Sequence, residues 1–299
     1  MKKILAFFLI CLALMIGITS CNNKSITNSG GDIIVASKNF TEQSILGELL
    51  AQQIEAKTNL KVERKPQLGG IFVCHQALIA GKIDAYIEYT GTAYNAILKQ
   101  EVIADAKEIY QRVKKIYSQD FKLKVMEPLG FENTYALIVR GEDAKRYNLQ
   151  KISDLAEYAS QWRGGFGYEF MEREDGFPGF SKTYGIKFNK SPRIMDSGLL
   201  YRALTQQQVK VIVANSTDGQ IARLGLLILD DDKQYFPPYE ATPVFRQDTL
   251  KKYPQLQKAI SPMLGKISAG EMQKLNYLVE GELRKVKDVV SEFRTAKGF

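Results

Sequence analysis

Ile83-Asp84-Ala85-Tyr86-Ile87-Glu88-Tyr89-Thr90-Gly91-Thr92 alternates its side chains as a strand does through Tyr89, then breaks at Gly91. Before it, residues 72–80 repeat apolar side chains at helical spacing, and residues 103–118 do so after it. A strand between two helical segments is the unit of an α/β fold. Within it Asp84 and Glu88 alternate with Tyr86, and both acids read as structural.

Outward from this stretch the alternation continues. Strands are expected at residues 32–36, 60–64, 121–126, 135–140, 164–168 and 209–214. Helices are expected at 41–57, 153–158, 198–205 and 219–224, the first carrying Ile45, Leu46, Leu49, Leu50 and Ile54 on one face. The last fifty residues are almost wholly helical in pattern, through 255–264, 269–282 and 286–293. The pattern predicts an α/β architecture with largely parallel pairing, and the length suits two lobes. Ligands of such folds sit beyond the carboxyl ends of strands. That points to residues 37–41, 89–92 and 215–219, and to the segment 236–239.

The amino terminus sets the compartment. Lys2 and Lys3 precede an apolar run, residues 4–18, that is too short to span a bilayer and ends at Thr19-Ser20-Cys21. The segment Ile18-Thr19-Ser20-Cys21 resembles a bacterial lipobox, which implies cleavage before Cys21 and lipidation of that residue. Residues 1–21 are therefore read as a lipoprotein signal peptide and 22–31 as a flexible polar tether. The product is expected to be exported and lipid-anchored at the outer face of the cytoplasmic membrane or in the periplasm. The whole chain carries 41 basic and 33 acidic residues. Without Lys2 and Lys3 the net charge is +6, spread without a long run, so a nucleic-acid partner is not expected.

Residues for catalysis are scarce. The single histidine, His75, adjoins Cys74 on a helical stretch, where neighbours point in different directions and form neither a nucleophile–base pair nor a metal site. No phosphate-cradling glycine motif and no nucleophile elbow is present, and Leu68-Gly69-Gly70 reads as a tight entry turn to a helix. Neither an enzyme nor a cofactor or metal is expected. Tyrosine is plentiful instead, with 15 residues, several of them in the segments singled out above. Ring faces attract a cation that cannot donate hydrogen bonds.

Several motifs follow one another in a fixed order. Ser37-Lys38-Asn39-Phe40-Thr41-Glu42-Gln43 comes first, then Glu88-Tyr89-Thr90-Gly91-Thr92 and Glu132-Asn133-Thr134-Tyr135-Ala136-Leu137. After them come Ser216-Thr217-Asp218-Gly219, Asp231-Asp232-Lys233, Phe236-Pro237-Pro238-Tyr239 and Leu275-Asn276. From about residue 33 to the end this pattern resembles the glycine betaine/carnitine/choline-binding proteins of osmoprotectant ABC importers. Gly165 to Phe170, with Arg173 and Asp175-Gly176, is similar to the more distant osmoprotectant-binding branch.

The resemblance implies a two-lobed, type II periplasmic-binding-protein-like α/β fold with two crossovers and the ligand in the cleft. Residues 32–137 with 241–299 would form one lobe, and 138–240 the other. It also implies an aromatic cage from Tyr89, Tyr135 and Tyr239, with Thr92 at the ligand's polar end. Ser37, Lys38 and Asn39 would reach the ligand from the first lobe, and Thr217 from the second. Arg173 and Asp175 would either orient a ligand acid, latch the lobes or stand as solvated charges. The implied partners are a small quaternary-ammonium ligand, a permease and an ATPase. One position departs from the pattern: Asn215 stands where a fourth cage tyrosine is expected. It keeps open a different betaine-like ligand on the same scaffold, such as ergothioneine, or a bile-related compound.

Overall fold

Ile33, Val35 and Ala36 are fully buried on a strand that enters the fold straight from Gly31, and the helix after it is buried almost all round. A helix apolar on most of its surface belongs between layers, and this one lies between a sheet and the carboxyl-terminal helices. The computed structural model describes residues 31–173 and 176–299. The leader with Cys21, the tether through residue 30, and Asp175 fall outside the described residues.

Strands in chain order are β1 (Ile33–Lys38), β2 (Val62–Gly69), β3 (Ala85–Tyr89), β4 (Leu123–Val125), β5 (Tyr135–Arg140), β6 (Gly164–Phe166), β7 (Arg193–Ile194), β8 (Val211–Asn215), β9 (Leu226–Leu229) and β10 (Ala241–Arg246). They form two five-stranded sheets, ordered β2-β1-β3-β10-β4 and β7-β6-β8-β5-β9. The pairing is mixed, which corrects the largely parallel expectation. β1 pairs in parallel with β2 and β3, and β6 with β7 and β8. β10 runs antiparallel between β3 and β4, and β5 antiparallel between β8 and β9. The reason is topological: the strand that follows each passage between the sheets enters its new sheet against the local direction.

The two passages lie side by side. Glu132 and Glu240 form an antiparallel bridge, and the Asn133 backbone N–H donates to the Tyr239 carbonyl at 3.0 Å. The expected division at residue 137 runs through β5, whose partners β8 and β9 both belong to the second sheet.

Smaller differences have local causes. The helix expected at 103–118 is Ala106–Asp120, started by the Asp105 side chain, which accepts the Glu108 N–H at 2.9 Å. The segment 153–158 is a tighter 3-10 helix, Ile152–Glu157. β10 carries Pro243, which has no ladder N–H to give and so hides a central strand from sequence reading. Asp84 accepts the Ile34 N–H at 2.8 Å and the Thr249 hydroxyl at 2.5 Å, a structural role as expected. His75 is buried against Tyr117 and Phe121, and burial holds its pKa down. Burial likewise pushes the Cys74 thiol up to about 11.

Candidate functional site

β1 and β3 both end at the same place. Lys38, the last residue of β1, is buried and ion-paired with Glu88 on β3. Glu88 also accepts the Tyr86 hydroxyl at 2.9 Å and the Tyr89 backbone N–H at 2.8 Å. The Lys38 ammonium, so neutralised, stands 4.6 Å from the centroid of the Tyr89 ring. Beyond Tyr89 the chain turns at Gly91 into a π-helical stretch, Thr92–Ile97. A Cβ on Gly91 would stand 2.5 Å from the Pro238 carbonyl oxygen, so only glycine lets the returning passage lie this close.

Beneath Tyr89 lies a junction centred on Glu42, 3% exposed, in the first turn of the helix Thr41–Lys57. Its carboxylate accepts from the Tyr89 hydroxyl at 2.5 Å, Asn133 Nδ2 at 2.8 Å, the Thr217 hydroxyl at 2.5 Å and Asn276 Nδ2 at 3.0 Å. Four segments far apart in sequence thus meet on one side chain. Burial, and then the neighbouring Glu42 carboxylate, push the Tyr89 phenol far above its ordinary pKa, so it stays a donor. Gly219 completes the junction: a Cβ there would stand 2.5 Å from the Tyr277 backbone nitrogen.

The second sheet contributes aromatic rings. Tyr135, first in β5, packs edge-on to Phe170 at 5.1 Å and to Tyr239 at 6.1 Å between centroids, and tilted to Phe236 at 5.8 Å. Asp231 holds the loop that carries Phe236, accepting the Tyr235 and Phe236 N–H groups at 3.0 and 2.8 Å and the Tyr184 hydroxyl. Arg173 stands with its guanidinium carbon 5.7 Å from the Tyr135 centroid, and donates to the Tyr239 hydroxyl at 3.4 Å. It also pairs with the exposed Glu169 at 3.4 Å. Between these walls lies a cavity of about 460 Å³, within the range of small-molecule sites, roughly 300–1,000 Å³. Aromatic faces, two cations and amide groups around one cavity can hold a compact, charged organic molecule.

The profile of the family described as the substrate binding domain of ABC-type glycine betaine transport systems matches residues 31–296. The chain belongs to this family. The carnitine transport binding protein OpuCC of Listeria monocytogenes is 38% identical over 296 residues, which is 98% of this chain and 96% of that protein. The ergothioneine transport permease/ergothioneine binding protein EgtU of Helicobacter pylori is 38% identical over 262 residues, 87% of this chain but only 47% of that longer protein. The crystal structure of a glycine betaine/carnitine/choline ABC transporter superposes with a TM-score of 0.80 at 36% identity, covering 89% of this chain and 98% of that one. The protein is thus an extracytoplasmic substrate-binding component of an ABC transport system, with the two-lobed α/β fold of such proteins. Its relatives handle quaternary-ammonium compounds.

In this glycine betaine-family chain, Lys38, Asn39, Tyr89, Thr92, Tyr135, Arg173, Asn215 and Tyr239 all line the one cavity. Ser37 and Thr217 do not. Ser37 is buried and accepts the Gln67 N–H at 3.0 Å, and Thr217 is spent on Glu42. Both serve the wall from behind, which corrects their expected contact with a ligand. Asn215 ends β8 directly opposite Tyr135 in the antiparallel register, so the two side chains share a face.

Sequence reasoning passed over Phe40, Asn133, Phe170, Tyr201 and Asp218, which also line the cavity. Four of the five lie inside motifs quoted for the family resemblance. Tyr201 carries no motif at all, and only its place on the helix Ser197–Thr205 brings it in.

Proposed function

We propose that this protein captures a zwitterionic quaternary-ammonium compound of the glycine betaine or carnitine kind and delivers it to the permease and ATPase of an importer. The observation that carries the reading is the convergence of Tyr89, Tyr135 and Tyr239 with Arg173 at one cavity. A quaternary ammonium has no N–H to donate, and ring faces stabilise it by about 0.5–2 kcal/mol each, more when dry. Lys38 is buried against Glu88. Arg173, itself paired with the exposed Glu169, stands at the Tyr135 ring and reaches the Tyr239 hydroxyl, and it is the cation placed to meet a ligand carboxylate. A cation near the rings disfavours a ligand with positive charge alone.

Arg173→Gln should therefore weaken glycine betaine and carnitine roughly 10–100-fold, the worth of a charged hydrogen bond. Choline should change by less than about 3-fold in the same titrations. Equal losses for all three ligands would remove the carboxylate role from Arg173.

The lobes of this reading divide at the paired passages, residues 132–134 and 239–241. The ligand is gripped from both sides, and the closed form is what the permease engages. Small-angle scattering at saturating ligand should show a smaller radius of gyration than the free protein. An unchanged radius on saturation would contradict closure. The protein is not an enzyme in this reading, and bound ligand is recovered unchanged. Lipidated Cys21 is its membrane anchor. EgtU supports a second reading, an ergothioneine-like ligand, and Asn215 beside Tyr135 is the feature that favours it.

A further inference from the structure

The passages 132–134 and 239–241 have a third segment beside them. The Ser216 N–H donates to the Thr134 carbonyl at 2.9 Å, and the Ser216 hydroxyl accepts the Thr134 N–H at 3.1 Å. Residues 216–219 follow β8 of the second sheet. Yet the helix that grips them, Ala269–Glu280, packs through Met272 and Leu275 into the core of the first. Gln273 Nε2 donates to the Ser216 carbonyl at 2.9 Å. Asn276 is 4% exposed, and its one amide nitrogen donates to the Thr217 carbonyl at 2.8 Å and to Glu42 at 3.0 Å. Gly219 lies backbone to backbone with Tyr277, where a Cβ would have no room. Gln273, Asn276 and Tyr277 stand at three- and four-residue spacing, so one helix face holds the whole segment.

We infer that residues 216–219 are a non-covalent hinge strand, which stays docked on the helix Ala269–Glu280 while the lobes close, and that Asn276 and Gln273 are its positioning residues. Neither side chain lines the cavity; both act through the wall they hold. Asn215 and Asp218, at the two ends of the segment, do line it. Glu42, the other partner of Asn276, also accepts the Tyr89 hydroxyl at 2.5 Å. One buried amide thus keeps the polar wall of the second sheet in register with a ring of the first. Two strands alone make a ribbon that twists readily and is marginal by itself, and a third strand stiffens it. Without that strand the ligand must order the two walls itself, at a cost in affinity. The inference rests on the closing two-lobed reading above.

The test uses the protein from residue 22 onward, wild type beside Gln273→Met and Asn276→Leu, which keep side-chain size and remove the donors. Small-angle scattering should give both ligand-free variants a larger radius of gyration than the ligand-free wild type, and all three the same radius at saturating glycine betaine. Calorimetry should show glycine betaine and carnitine weakened alike, by about 3- to 10-fold, the worth of one hydrogen bond. In the wild type, hydrogen exchange at the amides of residues 216–219 should not quicken when ligand is added. Variants that only melt lower, with radii and affinities unchanged, would make the contacts structural and overturn the hinge strand. Faster exchange at 216–219 on saturation would overturn it too, since the segment would then let go as the lobes close. Gln273→Met removes a single part-buried bond and decides alone if Asn276→Leu does not fold. The ligand-free radii need no ligand: if they match the wild type the hinge strand fails, whereas a wild type that no ligand compacts overturns the closure reading and the docked-closure inference with it.

Discussion

Tyr135→Leu weakens binding of a quaternary-ammonium ligand by roughly 10–100-fold, and Tyr135→Phe leaves it within about threefold. The contrast isolates the ring face. Leucine keeps an apolar side chain against Phe170 and Phe236, so most of the packing survives, but it offers a cation no π density. Phenylalanine keeps the ring and loses only the hydroxyl. The measurement is calorimetric titration, beside a melt to confirm that both variants fold. Tyr135 is the apt position because its ring packs on Phe170, Phe236 and Tyr239. Equal affinity in the leucine and phenylalanine variants would take Tyr135 out of any cage.

Glu42→Gln lowers stability by about 2–4 kcal/mol without changing side-chain size. The glutamine amide has one oxygen to accept and an NH2 group that can only donate. Glu42 meets four donors, from Tyr89, Asn133, Thr217 and Asn276. Whichever way the amide turns, its NH2 faces donors, and buried groups are left unpaired. For a body of this size a loss of that order lowers the melting temperature by at least about 4 °C. Ligand affinity should fall as well, because the Tyr89 ring loses the bond that fixes its tilt. An unchanged melting temperature would show that the four bonds add nothing to folding.

Much of this was legible in the sequence, for reasons that differ by element. The helix Thr41–Lys57 and strands β1, β3 and β5 carry dense apolar runs of element length, and packing buries the strands nearly end to end. Strand direction was not legible. Whether a strand enters a sheet parallel or antiparallel depends on where the chain returns, and nothing in Ala241–Arg246 records that Pro243 ends up opposite Ile87.

The site divides the same way. Tyr89, Asn215 and Tyr239 sit in short motifs at element ends, where position in the fold draws attention to them, whereas Tyr135 and the cage role itself come only from the family resemblance. Ser37 and Thr217 sit in equally distinctive motifs, yet their hydroxyls face inward to Gln67 and Glu42. A motif marks a constraint without saying which side of the wall it serves. Glu42 shows the reverse case: nothing in its motif says that this charged residue of an early helical turn is buried, and the convergence of four distant segments is what buries it.

The most direct test of the account is calorimetric titration of the protein from residue 22 onward with glycine betaine, carnitine and choline. The account predicts a dissociation constant of about 1 μM or tighter, on the order of −8 kcal/mol, for at least one of the two zwitterions, with choline weaker. Protein that melts cooperatively and yet shows no binding to any of the three at millimolar ligand would contradict the ring cavity as a quaternary-ammonium site.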